Sequence, residues 1–95
     1  MSAPKSPIAV FRLGQIVATP NALSQLSQDD VLRGIQRHQS ADWGDVDTHD
    51  REANDRALTD GTRLFSVYHS IAGLKFWIIT EADRSSTTVL MPEDY

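Results

Sequence analysis

The rhythm of apolar and polar positions changes twice along this chain. Residues 8–19 are mostly apolar and β-prone, with a break at Gly14. A strand is expected over 15–19, preceded by an extended piece over 8–13. Thr19-Pro20 then reads as a helix start, a hydroxyl N-cap followed by proline where no N–H is needed. A short helix carries Leu23 and Leu26. Ser27 offers a second cap, with Asp29 and Asp30 in the first turn, where the helix dipole favours carboxylates. That second helix runs to about His38, with Val31, Leu32 and Ile35 as its apolar stripe.

Residues 39–47 show no period and contain Gly44, as a loop does. Asp47 or Thr48 can cap a third helix over 49–59, whose apolar content is only Ala53, Ala57 and Leu58; Gly61 follows at the usual left-handed position. The period then drops to two. Residues 63–70 alternate, with Phe65, Val67 and His69 on one side and Leu64, Ser66 and Tyr68 on the other. Residues 71–73 make a tight connection, and 74–80 are apolar on both faces, as a central strand is. Residues 81–85 form a polar turn. Residues 86–91 are rich in Thr and Val and read as a last strand, stopped by Pro92.

This order predicts an α+β domain: an N-terminal strand, two to three helices, then a three-stranded antiparallel meander packed against the helices. The expected core holds Val31, Leu32, Ile35, Leu58, Phe65, Val67, Phe76, Ile78 and Val89. Residues 1–7, with Pro4 and Pro7, read as a loose tail, and 8–95 as one domain.

At 95 residues there is room for one domain only. The chain has no cysteine, which excludes disulfides, Cys-based zinc sites and thiol nucleophiles. Its longest apolar run, residues 76–79, is far too short to span a bilayer, and residues 1–7 lack an apolar signal core. A cytoplasmic protein without a membrane partner is therefore expected. The net charge of -4 is unevenly placed. Asp42, Asp45, Asp47, Asp50, Glu52, Asp55 and Asp60 face only Arg51 and Arg56, so residues 40–60 carry -5 and the rest +1. Such a field repels phosphate backbones and attracts basic surfaces. Nucleic-acid binding is not expected.

Candidate chemistry is sparse. Asp45, Asp47, Asp50 and His49 could offer ligands to a hard cation, but a calcium loop starting at Asp45 would need glycine and glutamate where Asp50 and Arg56 stand. No metal or cofactor is implied. Trp43, flanked by aspartates, either folds back onto the domain or anchors a partner. His38, His49 and His69 have hydroxyls available, but no spacing singles out a triad, and there is neither a Gly-x-Ser-x-Gly elbow nor a phosphate-cradling glycine loop. Glu81, Asp83 and Arg84, followed by four hydroxyls, form a second polar cluster: a capped turn with a surface pair, or a recognition patch.

Three runs resemble a family of short proteins carried on bacterial plasmids and integrative elements. They are Leu13-Gly14-Gln15-Ile16-Val17-Ala18-Thr19-Pro20, Arg37-His38 with Asp42-Trp43-Gly44-Asp45, and Trp77-Ile78-Ile79-Thr80-Glu81-Ala82-Asp83-Arg84-Ser85. The resemblance covers Phe11 to Tyr95. Members are mostly labelled plasmid-related proteins of unknown function, some with a restriction-modification label. It implies a mobile-element setting, where small acidic proteins often blunt host defences. The element order, with residues 17–23, is also similar to the RelE-type toxin ribonucleases, which implies acid–base or phosphate roles for Tyr68, His69, Arg84 or Tyr95. Those toxins are usually basic, whereas this chain has a pI near 5.1 and no lysine in its helices.

The expected function is therefore a non-enzymatic interaction protein of a mobile element that inhibits a defence such as restriction or CRISPR interference. Its partner would be a host or element-encoded protein with a basic surface. The contact residues would be Asp42, Trp43, Asp45, Asp47, His49 and Asp50, with Glu81 and Arg84. The alternative is a RelE-like ribonuclease or its inactive descendant.

Overall fold

The computed structural model describes residues 9–95; the tail expected over 1–7 lies outside them. The elements are β1 (Gln15–Ala18), α1 (Pro20–Gln25), α2 (Gln28–Gln39), α3 (Thr48–Asp60), β2 (Leu64–His69), β3 (Lys75–Thr80) and β4 (Ser86–Leu90), then a 3-10 turn at Pro92–Asp94. Each helix starts where a side chain takes up an orphan amide. Thr19 accepts from the Ala22 N–H, Ser27 from Asp30 and Asp47 from Asp50. Gly61 ends α3 at φ 73°.

The strands form one sheet in the order β1-β4-β3-β2. Short connections make β2, β3 and β4 an antiparallel meander with β3 in its centre, as the apolar run of 74–80 predicts. The sheet as a whole is mixed, not purely antiparallel, because β1 adds to β4 in parallel. Three helices separate β1 from the meander, long enough for a crossover, so the connection does not force antiparallel pairing.

The expected core needs two corrections. Register pairs Ser66 with Ile78 and Tyr68 with Phe76, so the helix-covered face of β2 is Leu64, Ser66 and Tyr68. Phe65 and Val67 point to the opposite face, where Val67 is buried as expected and Phe65 is only half-buried. Leu32 is 51% exposed. The buried stripe of α2 passes through Asp30, Gly34, Ile35 and His38, one position away from Leu32. Gly34 lets that stripe lie close on β3: an added Cβ would stand 3.0 Å from the Phe76 ring. Around it pack Ala22, Leu26, Ile35, Tyr68, Phe76, Ile78, Val89 and Met91. A second cluster, Trp43, Val46, Ala57, Leu64 and Val67, fills the space between β2 and α3.

The two sheet edges are treated differently. At β2, the Val67 N–H donates to the Trp43 carbonyl and the Val67 carbonyl accepts from the Asp45 N–H, at 3.1 and 2.7 Å. Gly44, between them, has φ 77°, and a Cβ there would meet the Val67 carbonyl oxygen at 2.1 Å. One step along, the Asn54 amide imitates a strand. Its Nδ2 donates to the Phe65 carbonyl at 2.7 Å and its Oδ1 accepts from the Phe65 N–H at 3.1 Å. The β2 edge is thus closed by the acidic loop and α3, whereas Ile16 and Val17 of β1 stay exposed.

Candidate functional site

The acidic segment is built from the β2 edge outward. Asp42 makes a two-point pair with Arg37, Nε to Oδ2 at 2.8 Å and an NH2 nitrogen to Oδ1 at 3.2 Å. That guanidinium holds the Asp42 carboxyl below the usual carboxylate range, and the same bond raises Arg37. Asp47 caps α3. The Asp45 carboxylate lies 3.8 Å from His69 Nε2. Asp42, Asp45, Asp47, Glu52, Asp55 and Asp60 are exposed, His49 is exposed, and Asp50 is half-buried. Among the described residues no group of three or more His, Asp or Glu is placed to hold a metal ion.

Trp43 is not an accessible anchor. It is 3% exposed. Its indole stacks on Phe11 with 6.1 Å between centroids, and its Nε1 donates to Asp55 at 3.0 Å. Between flanking aspartates the chain folds back, because the indole gains both burial and a carboxylate partner.

Arg84 and Glu81 belong elsewhere. The segment from Asp42 to Asp50 lies at and before the N-terminal end of α3, while the Arg84 guanidinium reaches its C-terminal end. At ~1.5 Å per residue, Asp50 and Ala57, the α3 residue that Arg84 meets, stand about 10 Å apart along the helix. Arg84 makes no surface pair with Glu81. One terminal nitrogen donates to the carbonyls of Thr62, Glu81 and Ala82, the other to Ala57 of α3 at 2.9 Å. This cation on a late helix carbonyl ties α3 to the β3–β4 turn. The half-buried Arg84 is therefore withdrawn from any recognition patch. Glu81 is half-buried as well, and Asp83 caps the turn through the Ser85 N–H.

The residues of the ribonuclease alternative do not converge. The Tyr68 hydroxyl is buried on the helix side and donates to the Asp42 carbonyl; burial raises its pKa. His69 sits opposite Lys75 at one end of β2, and Arg84 lies beyond the other end, where Leu64 pairs with Thr80. Tyr95 accepts from Arg63 at 2.9 Å and packs edge-on against Trp77, on the sheet face opposite Tyr68.

Two features carry no motif. The first is His38, fully buried and central to a chain of hydroxyls. Thr87 Oγ1 donates to the Leu13 carbonyl at 2.7 Å, so the 2.7 Å bond between Thr80 and Thr87 must be donated by Thr80. Thr80 then accepts from His38 Nε2–H at 2.8 Å, and His38 Nδ1 accepts from the Ser66 hydroxyl. With the ring neutral, these bonds place its proton on Nε2. Burial, with Arg84 nearby, lowers its pKa to about 3. A serine beside this histidine is not a catalytic dyad: the proton path ends in a carbonyl, and His38, Ser66, Thr80 and Thr87 are all sealed from solvent. A sequence signal existed, since His38 lies three residues past Ile35 on the same stripe. The second feature is an open groove of about 520 Å³ on the helix side of β1, lined by Ile16, Ala18, Leu23, Val31 and Leu32 among others, with no charged residue.

No protein-family model matches this chain, and neither does any curated protein or solved structure. Among the described residues no helix is long and apolar enough to cross a membrane.

Proposed function

We propose that this chain is a non-catalytic protein-binding module whose contact surface is the acidic edge formed by the α2–α3 loop and α3. The reading rests on one observation: six carboxylates of this edge are exposed on backbone that the β2 edge holds in place, whereas Tyr68, His38 and Arg84 are buried or spent on main-chain carbonyls. A rigid acidic surface loses little entropy on docking and is steered toward a basic partner. The partner is a host or element-encoded protein with a basic groove, and the resemblance to mobile-element proteins makes a defence nuclease or interference complex the first target to assay. Trp43 contributes by holding Asp55 and the loop in place, not by inserting into the partner.

Charge reversal at Asp45, Glu52 and Asp60, all exposed, tests this. Association with a basic partner should slow and lose most of its salt dependence, because exposed charges act over about 8 Å at physiological ionic strength. Unchanged binding and an unchanged salt slope would reduce the acidic edge to solvated surface. Metal-independent RNA cleavage that Arg84→Ala abolishes in a folded protein would restore the ribonuclease reading.

A further inference from the structure

We infer that the β1 edge is a self-association surface, on which a second copy of this chain adds its own β1 antiparallel across a two-fold axis at Val17. The inference is independent of the acidic-edge reading. Gln15 and Thr19 donate their N–H groups to the Ser85 and Val89 carbonyls, both at 3.0 Å. Alternation along the strand therefore turns the N–H and C=O of Ile16 and Ala18 away from β4, into solvent. An antiparallel copy centred on Val17 sets Ile16 against Ala18 of the other chain, and Ala18 against Ile16. Each pair exchanges two backbone bonds, four in all. The register is self-complementary in size too, with a large side chain opposite a small one on the helix side.

Three observations favour a second copy as the occupant. First, the β2 edge carries two separate blocking devices, the Gly44 bridge and the Asn54 amide, whereas β1 is capped by none of the means that keep edges apart: no proline, no lysine and no covering segment among the described residues. Second, the edge continues into an apolar surface. Ile16 is 49% exposed, Leu23 65% and Leu32 51%, beside the uncharged groove. A stable dimer needs about 600 Å² from each copy, roughly a tenth of this chain's 5869 Å², and the strand, its groove and these side chains are the area offered for it. Third, the charge distribution selects this edge. Like-charged copies repel through their acidic sides, but pairing at β1 puts those sides at opposite ends of an eight-stranded sheet. The two β2 strands would lie about 34 Å apart, at ~4.8 Å per strand, several screening lengths away.

Sedimentation equilibrium of the full chain should give twice the 10.6 kDa monomer mass, and Val17→Lys should return it to a monomer that still unfolds cooperatively, its melt no longer dependent on protein concentration. Because the chain has no cysteine, Val17→Cys adds a direct test. At a non-hydrogen-bonded antiparallel pair the two Cα atoms stand about 4.5 Å apart, within disulfide reach. Mild oxidation should crosslink this variant quantitatively and leave Asp60→Cys, on the far edge, uncrosslinked. Monomeric sedimentation at millimolar concentration overturns the inference, as does a dimer that Val17→Lys leaves intact. So does a monomer that instead captures an extended apolar peptide on β1, which would assign the edge to another kind of chain.

Discussion

His38 makes the stability of this protein depend on pH in a window where few other groups titrate. In the unfolded chain its imidazole takes up a proton near pH 6.5, whereas in the fold that happens only near pH 3. Below pH 6.5 the unfolded state binds more protons than the folded one, so stability is fully present above 6.5 and drains as pH falls toward 3. The slope is about 1.4 kcal/mol per pH unit. From pH 7.5 to 5.0 the loss should be about 2 kcal/mol, a large share for a domain of this size. The depressed carboxyls, Asp42, Asp83, Glu93 and Asp94, start from ordinary values of 3.8 or 4.5. Their contributions are lost only at lower pH. Urea unfolding followed by tryptophan fluorescence suits the measurement, because the Trp43 ring lies 5.7 Å from His38. His38→Gln cannot take up a proton, so the variant should lose about 2 kcal/mol less than the wild type over the same interval, whatever its stability at pH 7.5. Equal losses in the two proteins would refute the buried neutral imidazole. So would an NMR titration of the His38 ring itself with its midpoint near 6.5.

Asn54→Ala removes both bonds to Phe65 and uncovers part of the β2 edge; unfolding should become easier by about 1–3 kcal/mol, read by chemical denaturation, with aggregation setting in at lower concentration. Arg84→Ala should release the end of α3 from the β3–β4 turn, raising amide exchange in residues 57–63 well before global unfolding.

The helices were legible in the chain because their starts are local chemistry. Thr19, Ser27 and Asp47 each place an oxygen against the amide three residues on, and no distant part of the fold needs to be known. The meander was legible for the same reason, since short connections leave few ways to pair. Three matters were decided only by tertiary structure. Which face of β2 meets α2 depends on register with β3: Leu64, Ser66 and Tyr68 turn to that side although Phe65 and the equally buried Val67 make the more apolar side, because His38 arrives from α2 to satisfy the Ser66 and Thr80 hydroxyls. The candidate site divided for a similar reason. Trp43 and Arg84 look available in one dimension, yet each has a long-range partner, Asp55 for one and the Ala57 carbonyl of α3 for the other. The pairing of β1 with β4, and with it the open edge, rests on a crossover through three helices. Residues 15–18 determine that a strand forms there; its neighbour, and the side left facing water, are set by contacts more than sixty residues away in the chain.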